Sequence, residues 1–411
     1  MTETSGARTA LHGDSTDIAE ITAHYDPFDI ETAPCKWAVL ANARAECPVL
    51  QVYPGSDPKH GYWMLTRYAD VRFVLDNPEI FSSTGAAISE AAVPLPPLPP
   101  LDTDPPVHAD LRKILNPLMS RATLLRFEPQ MRAIARAAIA KFADVGHCEF
   151  VGDFAIPLSA GVLSTIVFDD DDKDRIAHGG EIVARCAREA TPESFGELAM
   201  FAAQYIHMRQ AHPGGPDDIL TALLTGTIQG RPVAPDEVVG VVTTLFLAGL
   251  DTTKGALSNI AARIALEPGL EDRVRDPSWI RHDMDELLRF ESPVAIMGRT
   301  VLREVEVAGR RFAPGDRVIV NFGSANRDER QYEAADQLRF DLRRSGLMSF
   351  GVGIHRCLGS NLARLQIQFG FDELLSAITR LRPAGDGPII YDTGMIHGPA
   401  ELPLTFDRRA S

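Results

Sequence analysis

The sequence predicts a mainly α-helical protein with a minor β part, organised as one large domain. Three observations support this prediction. Apolar residues recur at helical spacing through most of the segment from His108 to Leu266. Short β-like runs occur near Tyr62 and again after residue 300. No linker, charge block or internal repeat divides residues 21–411, whereas residues 1–20 form a polar leader that we expect to be flexible.

Composition and charge narrow the class of protein. The chain has 411 residues, of which 45% are hydrophobic and 24% charged, as in ordinary globular proteins. A formal net charge of -15 argues against nucleic acid or anionic lipid as a main partner, because a negative field repels both. The apolar segment from Val238 to Leu250 is shorter than the ~20 residues of a membrane span. We therefore expect no membrane anchor.

Cysteine usage points to a reducing compartment. The five cysteines are an odd number, are widely spaced and include no C-x-x-C pair. This pattern argues against a disulfide framework or a zinc site. It suits the cytoplasm, which is the location we expect.

The elements of the first half follow from simple patterns. The run from Tyr62 opens with strand-like residues, changes to helical spacing and stops at Pro78. Seven prolines between residues 94 and 106 exclude a helix from segment 91–106 and predict an extended apolar loop suited to cover a pocket. Helical patterns follow at Leu125–Phe142 and Gly196–Ala211.

A very long helix is predicted from Asp236 to Leu266. Pro235 suits its first turn, and Pro268 with Gly269 ends it. At 1.5 Å per residue the helix spans roughly 45 Å. Because it is apolar on nearly all sides around Val241 to Leu250, it must run through the middle of the molecule. A strand at Arg317–Phe322 and a last helix at Asn361–Ile378 complete the pattern.

The stretch from Phe350 to Gly359 carries the strongest chemical signal. It contains three glycines in ten residues, which permit tight turns and a close approach to a flat ligand, and it ends immediately before the last helix. Cys357 therefore lies at a helix N-terminus, where unsatisfied N–H groups favour a thiolate, the form that binds iron. The alternative is a glycine-rich turn around an inert buried cysteine.

This stretch resembles the signature loop of the cytochrome P-450 superfamily, F-x-x-G-x-x-x-C-x-G, matched by Phe350, Gly353, Cys357 and Gly359. The resemblance implies the cytochrome P-450 fold, with the long central helix over a heme b group. It makes Cys357 the axial ligand of the heme iron, within a heme-binding loop that includes Phe350, Gly351 and Gly359. A donating thiolate favours cleavage of the O–O bond.

The long helix contains a second motif, Ala248-Gly249-Leu250-Asp251-Thr252-Thr253. Gly249 costs about 1 kcal/mol relative to alanine, and Asp251 is a charge in an apolar segment. A threonine hydroxyl bonds the carbonyl four residues back, and Gly249 leaves a notch for a diatomic ligand. The alternative is a structural kink with a buried ion pair. The resemblance implies that Thr252 lies near O2, that Asp251 delivers protons from the other side, and that Ala248 and Gly249 lie beside the heme.

Two charged sets complete the resemblance. Glu286 and Arg289 are one turn apart on a helix, which alone indicates an ordinary surface ion pair of little energy. The resemblance gives this pair a structural role with a third member, and Arg343 is the candidate.

His108 and Arg112 are also one turn apart, and the resemblance groups them with Arg299 and His355 around the two heme propionates. Taken singly, each of these four is expected to be a solvated surface group.

The substrate pocket is less defined by sequence. By resemblance its lining includes the loop before Pro94, Phe246, Ala248, Val294, Met297 and Ile396. Most of these residues are apolar, which predicts a small apolar substrate, terpenoid or aromatic, although core packing explains the same residues.

The resemblance implies a heme-thiolate monooxygenase that inserts one oxygen atom from O2, by hydroxylation or O-dealkylation. Electrons are expected from NAD(P)H through a separate ferredoxin-type iron–sulfur protein and its reductase, docked near Lys113, Arg356 and Arg364. The alternatives are a peroxide-driven heme-thiolate enzyme or oxidative coupler, and a non-catalytic heme-binding sensor. A sensor needs Cys357 but has no use for Asp251 and Thr252. A structural α protein with no cofactor is a further alternative.

Overall fold

The computed structural model describes residues 17–53, 61–88, 96–169, 172–189, 191–212 and 218–409. Residues 1–16 of the predicted leader and residues 91–95 of the proline-rich loop lie outside these ranges. Asp17 caps a helix that begins at Ile18, and its side chain accepts a hydrogen bond from the Ala19 N–H. Residues 18–20 therefore belong to the first helix and not to a flexible leader.

Helices form most of the described structure. They are α1 (Ile18–Ala23), α2 (Lys36–Glu46), α3 (Tyr68–Asp76), α4 (Val107–Leu115), α5 (Arg121–Leu124), α6 (Glu128–Ile139), α7 (Ile156–Val162), α8 (Lys173–Glu189), α9 (Pro192–Ala211), α10 (Ile219–Thr225), α11 (Pro235–Leu266), α12 (Leu270–Arg275), α13 (Asp283–Glu291), α14 (Phe322–Ala325) and α15 (Ser360–Ala377). Two π-helical turns, Val151–Ala155 and Leu163–Val167, flank α7. The prediction of a mainly helical protein is confirmed.

The strands are short. They are β1 (Val49–Val52), β2 (Tyr62–Leu65), β3 (Phe81–Ser82), β4 (His147–Glu149), β5 (Thr227–Ile228), β6 (Arg231–Pro232), β7 (Ile296–Val301), β8 (Val305–Val307), β9 (Arg310–Phe312), β10 (Arg317–Asn321), β11 (Ile378–Pro383) and β12 (Pro403–Arg408).

The largest sheet joins distant parts of the chain in the order β1-β2-β10-β7-β3. Strands β2 and β10 pair in parallel, and the other neighbours are antiparallel. Because alternate residues of a strand share a face, β7 places Met297 and Arg299 on the same side of the sheet. A second sheet has the order β11-β12-β4.

Helix α11 runs through the main apolar core. It has 32 residues and begins at Pro235, where a missing N–H costs nothing, while the Glu237 carboxylate accepts a hydrogen bond from the Ala234 N–H at 2.8 Å. It ends before Pro268, and Gly269, with a φ of 80°, is the N-cap residue of α12. Most of its side chains from Val238 to Ile264 are buried, which confirms the predicted central helix.

The helices at Leu125–Phe142 and Gly196–Ala211 correspond to α6 and α9. No helix in the described ranges is long and apolar enough to cross a membrane.

Candidate active site

The loop that carries Cys357 leads directly into α15, whose N-cap residue is Gly359. The Cys357 N–H donates to the Phe350 carbonyl at 2.8 Å and closes the loop. Gly351 and Gly353 have φ angles of 62° and 69°, a region that residues with a side chain rarely adopt. The glycines therefore make the predicted turns.

The close approach made by Gly353 is not to a ligand. A Cβ at this position would lie 2.5 Å from the Leu75 carbonyl oxygen near the end of α3. Gly353 thus lets the loop pack against α3, which fixes the position of the residues that follow it.

The Cys357 side chain keeps accessible surface, although the loop that carries it packs against α3. Burial raises the pKa of the Cys357 thiol, and backbone N–H groups of Gly359 and Ser360 together with the cations of Arg112 and Arg356 lower it. The sulfur is thus supplied with donors and positive charge that stabilise a thiolate once an iron ion compensates for burial.

Ala248 stands out on the central helix. It is exposed although it lies near the middle of α11, where most side chains are buried. One turn later on the same face, the Thr252 hydroxyl donates to the Ala248 carbonyl at 2.6 Å, as its position in the motif predicts. An exposed small residue at this depth lines a cavity, and Thr252 is at its edge.

Two predictions on this helix need correction. A Cβ at Gly249 would lie 2.9 Å from Leu163 Cδ1, so the missing side chain makes room for helix packing against the π-helical turn and not for a diatomic ligand. Phe246 is buried among aromatic rings and stacks on Phe168 with centroids 4.3 Å apart. It belongs to the core, because its position is about 200° around the helix from Ala248.

Asp251 is held by an ion pair. Lys254, one turn along α11, places its Nζ 2.6 Å from Asp251 Oδ1 and 3.3 Å from Asp392 Oδ2. The side chains of Asp251 and Lys254 are only 17% and 14% exposed, whereas that of Asp392 is 37% exposed. The acid of the motif is therefore connected through a lysine to a carboxylate at the surface.

His108, Arg112, Arg299 and His355, here called the cation cluster, come together. The His108 and His355 rings lie 4.1 Å apart between centroids. Burial, followed by the charges of Arg299, His108 and Arg112, lowers the pKa of His355 to about 3. Burial likewise lowers the pKa of Arg299 to about 10 and that of His108 below its usual value.

The cation cluster lacks matching anions. Among the described residues, no carboxylate forms an ion pair with Arg112 or Arg299, and Nε2 of both histidines is buried with no hydrogen-bond partner. Asp104 is nearby and favours the charged forms of Arg299 and His108, but its oxygens accept from the Ser83 N–H at 2.9 Å and from the Ser82 hydroxyl. Such a group of buried donors is suited to an anionic ligand.

The Glu286 cluster, formed by Glu286, Arg289 and Arg344, is paired internally. Arg289 Nε lies 2.8 Å from Glu286 Oε2 and Arg344 Nη1 lies 3.1 Å from Glu286 Oε1. Arg343, which we predicted as the third member, is exposed. The error is one residue in an irregular segment, where no periodicity indicates which side chain turns inward.

Three predicted pocket residues, Val294, Met297 and Ile396, are half-buried. Val294 and Ile396 form an isolated antiparallel bridge, and the His397 N–H donates to the Pro293 carbonyl at 2.8 Å. The proline-rich loop contacts the central helix, since a Cβ at Gly240 would lie 2.9 Å from Pro99 Cδ. The part of this loop before Pro94 lies outside the described residues.

Comparisons with known proteins give a consistent result. The cytochrome P-450 family model matches residues 282–402. Linalool 8-monooxygenase of Pseudomonas putida is 30% identical over 380 residues, covering 86% of this chain and 91% of that protein. Erythromycin C-12 hydroxylase of Saccharopolyspora erythraea is 32% identical over 369 residues, covering 85% and 88%. The solved structure of a mutant of P-450 EryK with erythromycin B has a TM-score of 0.82 and 27% identity, covering 94% of this chain and 100% of that one.

The chain belongs to the cytochrome P-450 family. The predicted fold is therefore confirmed, and the protein is a heme-thiolate P-450 monooxygenase. The residues of this P-450 fit a heme. Unpaired buried donors in the cation cluster match two propionates, and the Cys357 sulfur has the N–H donors that an iron-binding thiolate requires.

Several residues of this P-450 site were missed by sequence reasoning. Lys254 is three residues after Asp251, a spacing that itself indicates an ion pair, so this contact was open to prediction. The contact between Lys254 and Asp392 could not be predicted, because the two residues are 138 positions apart in the chain. Asp104 and Arg344 were missed for the same reason, since their roles depend on loops without periodic structure.

Proposed function

We propose that this P-450 binds heme b through the Cys357 thiolate and inserts one oxygen atom from O2 into a small apolar substrate. When bound, the heme supplies the iron that activates O2, with the thiolate favouring O–O cleavage. The observation that carries this proposal is the pairing of a donor-rich cysteine at a helix N-terminus with buried cations that lack anions.

The cation cluster anchors the cofactor. Arg112 and Arg299 would donate to the propionate oxygens, because planar guanidinium groups suit carboxylates. The unpartnered Nε2 atoms of His108 and His355 add two donors once the propionates raise the pKa of each ring. Phe350, Gly351 and Gly359 shape the loop, and the small, exposed Ala248 would leave room for the cofactor.

Asp251 and Thr252 are the catalytic residues of the proposal. The Thr252 hydroxyl hydrogen bonds to its own helix, so a rotation about one side-chain bond turns it towards O2 in the cavity. Asp251 is on a different face of the helix, with its side chain 17% exposed, and is the proposed route by which protons reach Thr252 from solvent. A positioned acid of this kind contributes roughly 10²- to 10⁴-fold to a proton transfer.

The substrate is a terpenoid or aromatic compound, oxidised by hydroxylation or O-dealkylation. Val294, Met297 and Ile396 supply hydrocarbon surface, to which Ala248 and the half-buried Leu247 of the central helix add. The two relatives are named for linalool and erythromycin, so similarity alone favours neither small nor large substrates. The apolar lining favours a small compound with few polar anchors.

Electrons come from NAD(P)H through a ferredoxin-type iron–sulfur protein and its reductase, in the cytoplasm. The docking surface consists of Lys113, Arg356 and Arg364, although Lys113 pairs with Asp110 and Arg364 with Asp285. Arg356 is exposed and is therefore the best candidate of the three for contact with the ferredoxin. Arg356→Glu should slow reduction by the ferredoxin without changing substrate affinity. Arg408→Glu, at an exposed residue of β12, should leave the rate of reduction unchanged. Equal rates in the two variants contradict this docking surface.

The test of oxygen insertion uses isotopes. Terpenoids and aromatics are first screened for a high-spin shift of the Soret band, which reports displacement of water from the heme iron. A compound that binds is then turned over under ¹⁸O2 with NAD(P)H and a ferredoxin system. Hydroxylation should place one ¹⁸O atom in each product molecule, whereas O-dealkylation should place it in the released aldehyde and leave the alcohol unlabelled. Product formed only when hydrogen peroxide is supplied would favour the peroxide-driven alternative.

A further inference from the structure

Residues 391–399, here called the C-terminal hairpin, connect the surface with the cavity. The Asp392 N–H donates to the Gly398 carbonyl at 2.8 Å, and Tyr391 bridges to Pro399. Ile396, in the middle of the hairpin, is half-buried and bridges to Val294 in the pocket wall. One short hairpin therefore carries both a pocket residue and the exposed partner of Lys254.

The C-terminal hairpin packs on the central helix backbone to backbone. A Cβ at Gly398 would lie 2.7 Å from the Gly255 Cα, and the Asn259 side-chain amide donates to the His397 carbonyl at 2.8 Å. Gly255 immediately follows Lys254. A displacement of the hairpin consequently changes the surroundings of Lys254 directly, with no intervening side chain to absorb it.

Lys254 lies between two carboxylates that differ in exposure. The charged groups that act on its ammonium are Asp251 from the same helix and Asp392 from the hairpin, at 2.6 and 3.3 Å. An ammonium has three hydrogens and serves both acceptors. While Lys254 holds Asp251, the ammonium occupies Oδ1 of that carboxylate, which blocks this oxygen as a proton carrier.

We propose, on the basis of the proposed function, that Lys254 is a positioning residue that clamps Asp251 and releases it to Asp392, so that the C-terminal hairpin couples substrate contact at Ile396 to proton delivery. Release exchanges hydrogen bonds and breaks no covalent bond. Asp251 then takes one proton from solvent, passes it towards Thr252 and returns to a carboxylate. Asp392 receives the ammonium in the meantime.

The first test needs no substrate or redox partner. The heme-loaded protein is chemically reduced and mixed with O2, and the return to the ferric spectrum is followed in H2O and D2O across pH. Asp392→Asn should slow the return about tenfold, which is a fraction of the 10²- to 10⁴-fold contribution of a positioned acid. It should also increase the solvent isotope effect. Lys254→Met should accelerate the return. Asp386→Asn, an equal charge change at an exposed residue of the preceding loop, should leave it unchanged.

A double substitution shows whether Lys254 acts through Asp251. In an Asp251→Asn background, both Asp392→Asn and Lys254→Met should lose their effects on rate and isotope effect. Effects that persist in this background would overturn the proposal. Equal slowing of the return by Asp392→Asn and Lys254→Met would also overturn it, because the proposal requires the two variants to have opposite effects.

The second test observes Lys254 itself. The chain has six lysines, at positions 36, 59, 113, 141, 173 and 254, so ¹⁵N-labelled side-chain ammonium signals are few. In the carbon monoxide complex of the reduced protein, Asp392→Asn should lower the pKa of Lys254 and speed exchange of its hydrogens, while Asp386→Asn should do neither. An unchanged Lys254 signal in Asp392→Asn overturns the proposal even if Lys254→Met does not fold.

Failure of these tests is distinguishable from failure of the proposed function, because the latter would appear as an absence of labelled product in the ¹⁸O2 test.

Discussion

The cation cluster and the Glu286 cluster differ in how their buried arginines are satisfied. Arg289 donates to Glu286 and to the carbonyls of Asn326, Ala335 and Gln337 at 2.6 to 3.0 Å. Arg299 is equally buried but donates to the Gly298 carbonyl next to it and has no carboxylate partner among the described residues. Fully paired buried charges indicate structure, whereas unpaired ones indicate a ligand. The comparison predicts opposite consequences of substitution in the two clusters.

The largest effect is expected in the Glu286 cluster. Glu286→Ala leaves Arg289 and Arg344 buried without their carboxylate, and Arg344→Ala removes one of the two cations that pair with Glu286. Each substitution should lower the free energy of unfolding by about 3–5 kcal/mol. Urea unfolding followed by circular dichroism measures this. Arg343→Ala is the matched control. Arg343 is exposed, so its substitution should lower the free energy of unfolding by less than about 0.5 kcal/mol. Equal losses at positions 343 and 344 would contradict the assignment.

A smaller effect of opposite kind is expected in the cation cluster. Arg299→Leu removes a buried charge with no partner in the chain, so the heme-free protein should be no less stable than the parent. The loaded protein should lose heme roughly 10- to 100-fold faster, since a charge-assisted hydrogen bond contributes about 1.5–3 kcal/mol. Transfer of heme to an acceptor protein measures the rate, with exposed Arg303→Leu as control. Destabilisation of the heme-free chain by Arg299→Leu would show that this arginine stabilises the fold and would contradict its assignment to the cofactor site.

The smallest effect concerns pH. The folded pKa of His355 is about 3, below the value of about 6.5 for an unfolded histidine, so the unfolded chain binds more protons below pH 6.5. This residue therefore contributes stability above pH 6.5 that is lost as pH falls towards 3, by about 1 kcal/mol at pH 5 after allowance for partial exposure.

In the heme-free protein, His355→Gln should flatten the fall in urea midpoint between pH 7 and 5, and exposed His147→Gln should not. Heme should flatten it in the same way, because propionates raise the pKa of His355. His397 has a folded pKa of about 4 but lies between Lys36 and Glu291, away from the cation cluster, so its contribution should persist with heme bound. A parent protein whose pH dependence is the same with and without heme would remove His355 from the cofactor site.

Much of the fold and part of the site were predictable from sequence. Pro235 and Pro268 bound the central helix, and the loop glycines with Cys357 indicate the turn and helix that follow. Local patterns do not determine which face of an apolar helix meets a cavity, so Phe246 was assigned to the pocket although it packs in the core. Contacts between distant segments, such as Lys254 with Asp392, depend on tertiary packing that no short motif encodes.

The bond between Cys357 and heme iron is the central claim, and one spectrum tests it. The reduced protein is treated with carbon monoxide, and the Soret band is compared among the parent, Cys357→His and Cys47→Ser, which alters an exposed cysteine outside the loop. We expect the long-wavelength band of a thiolate-bound heme in the parent and in Cys47→Ser, and its loss in Cys357→His. A parent without that band, or a Cys357→His variant that keeps it, would contradict the account.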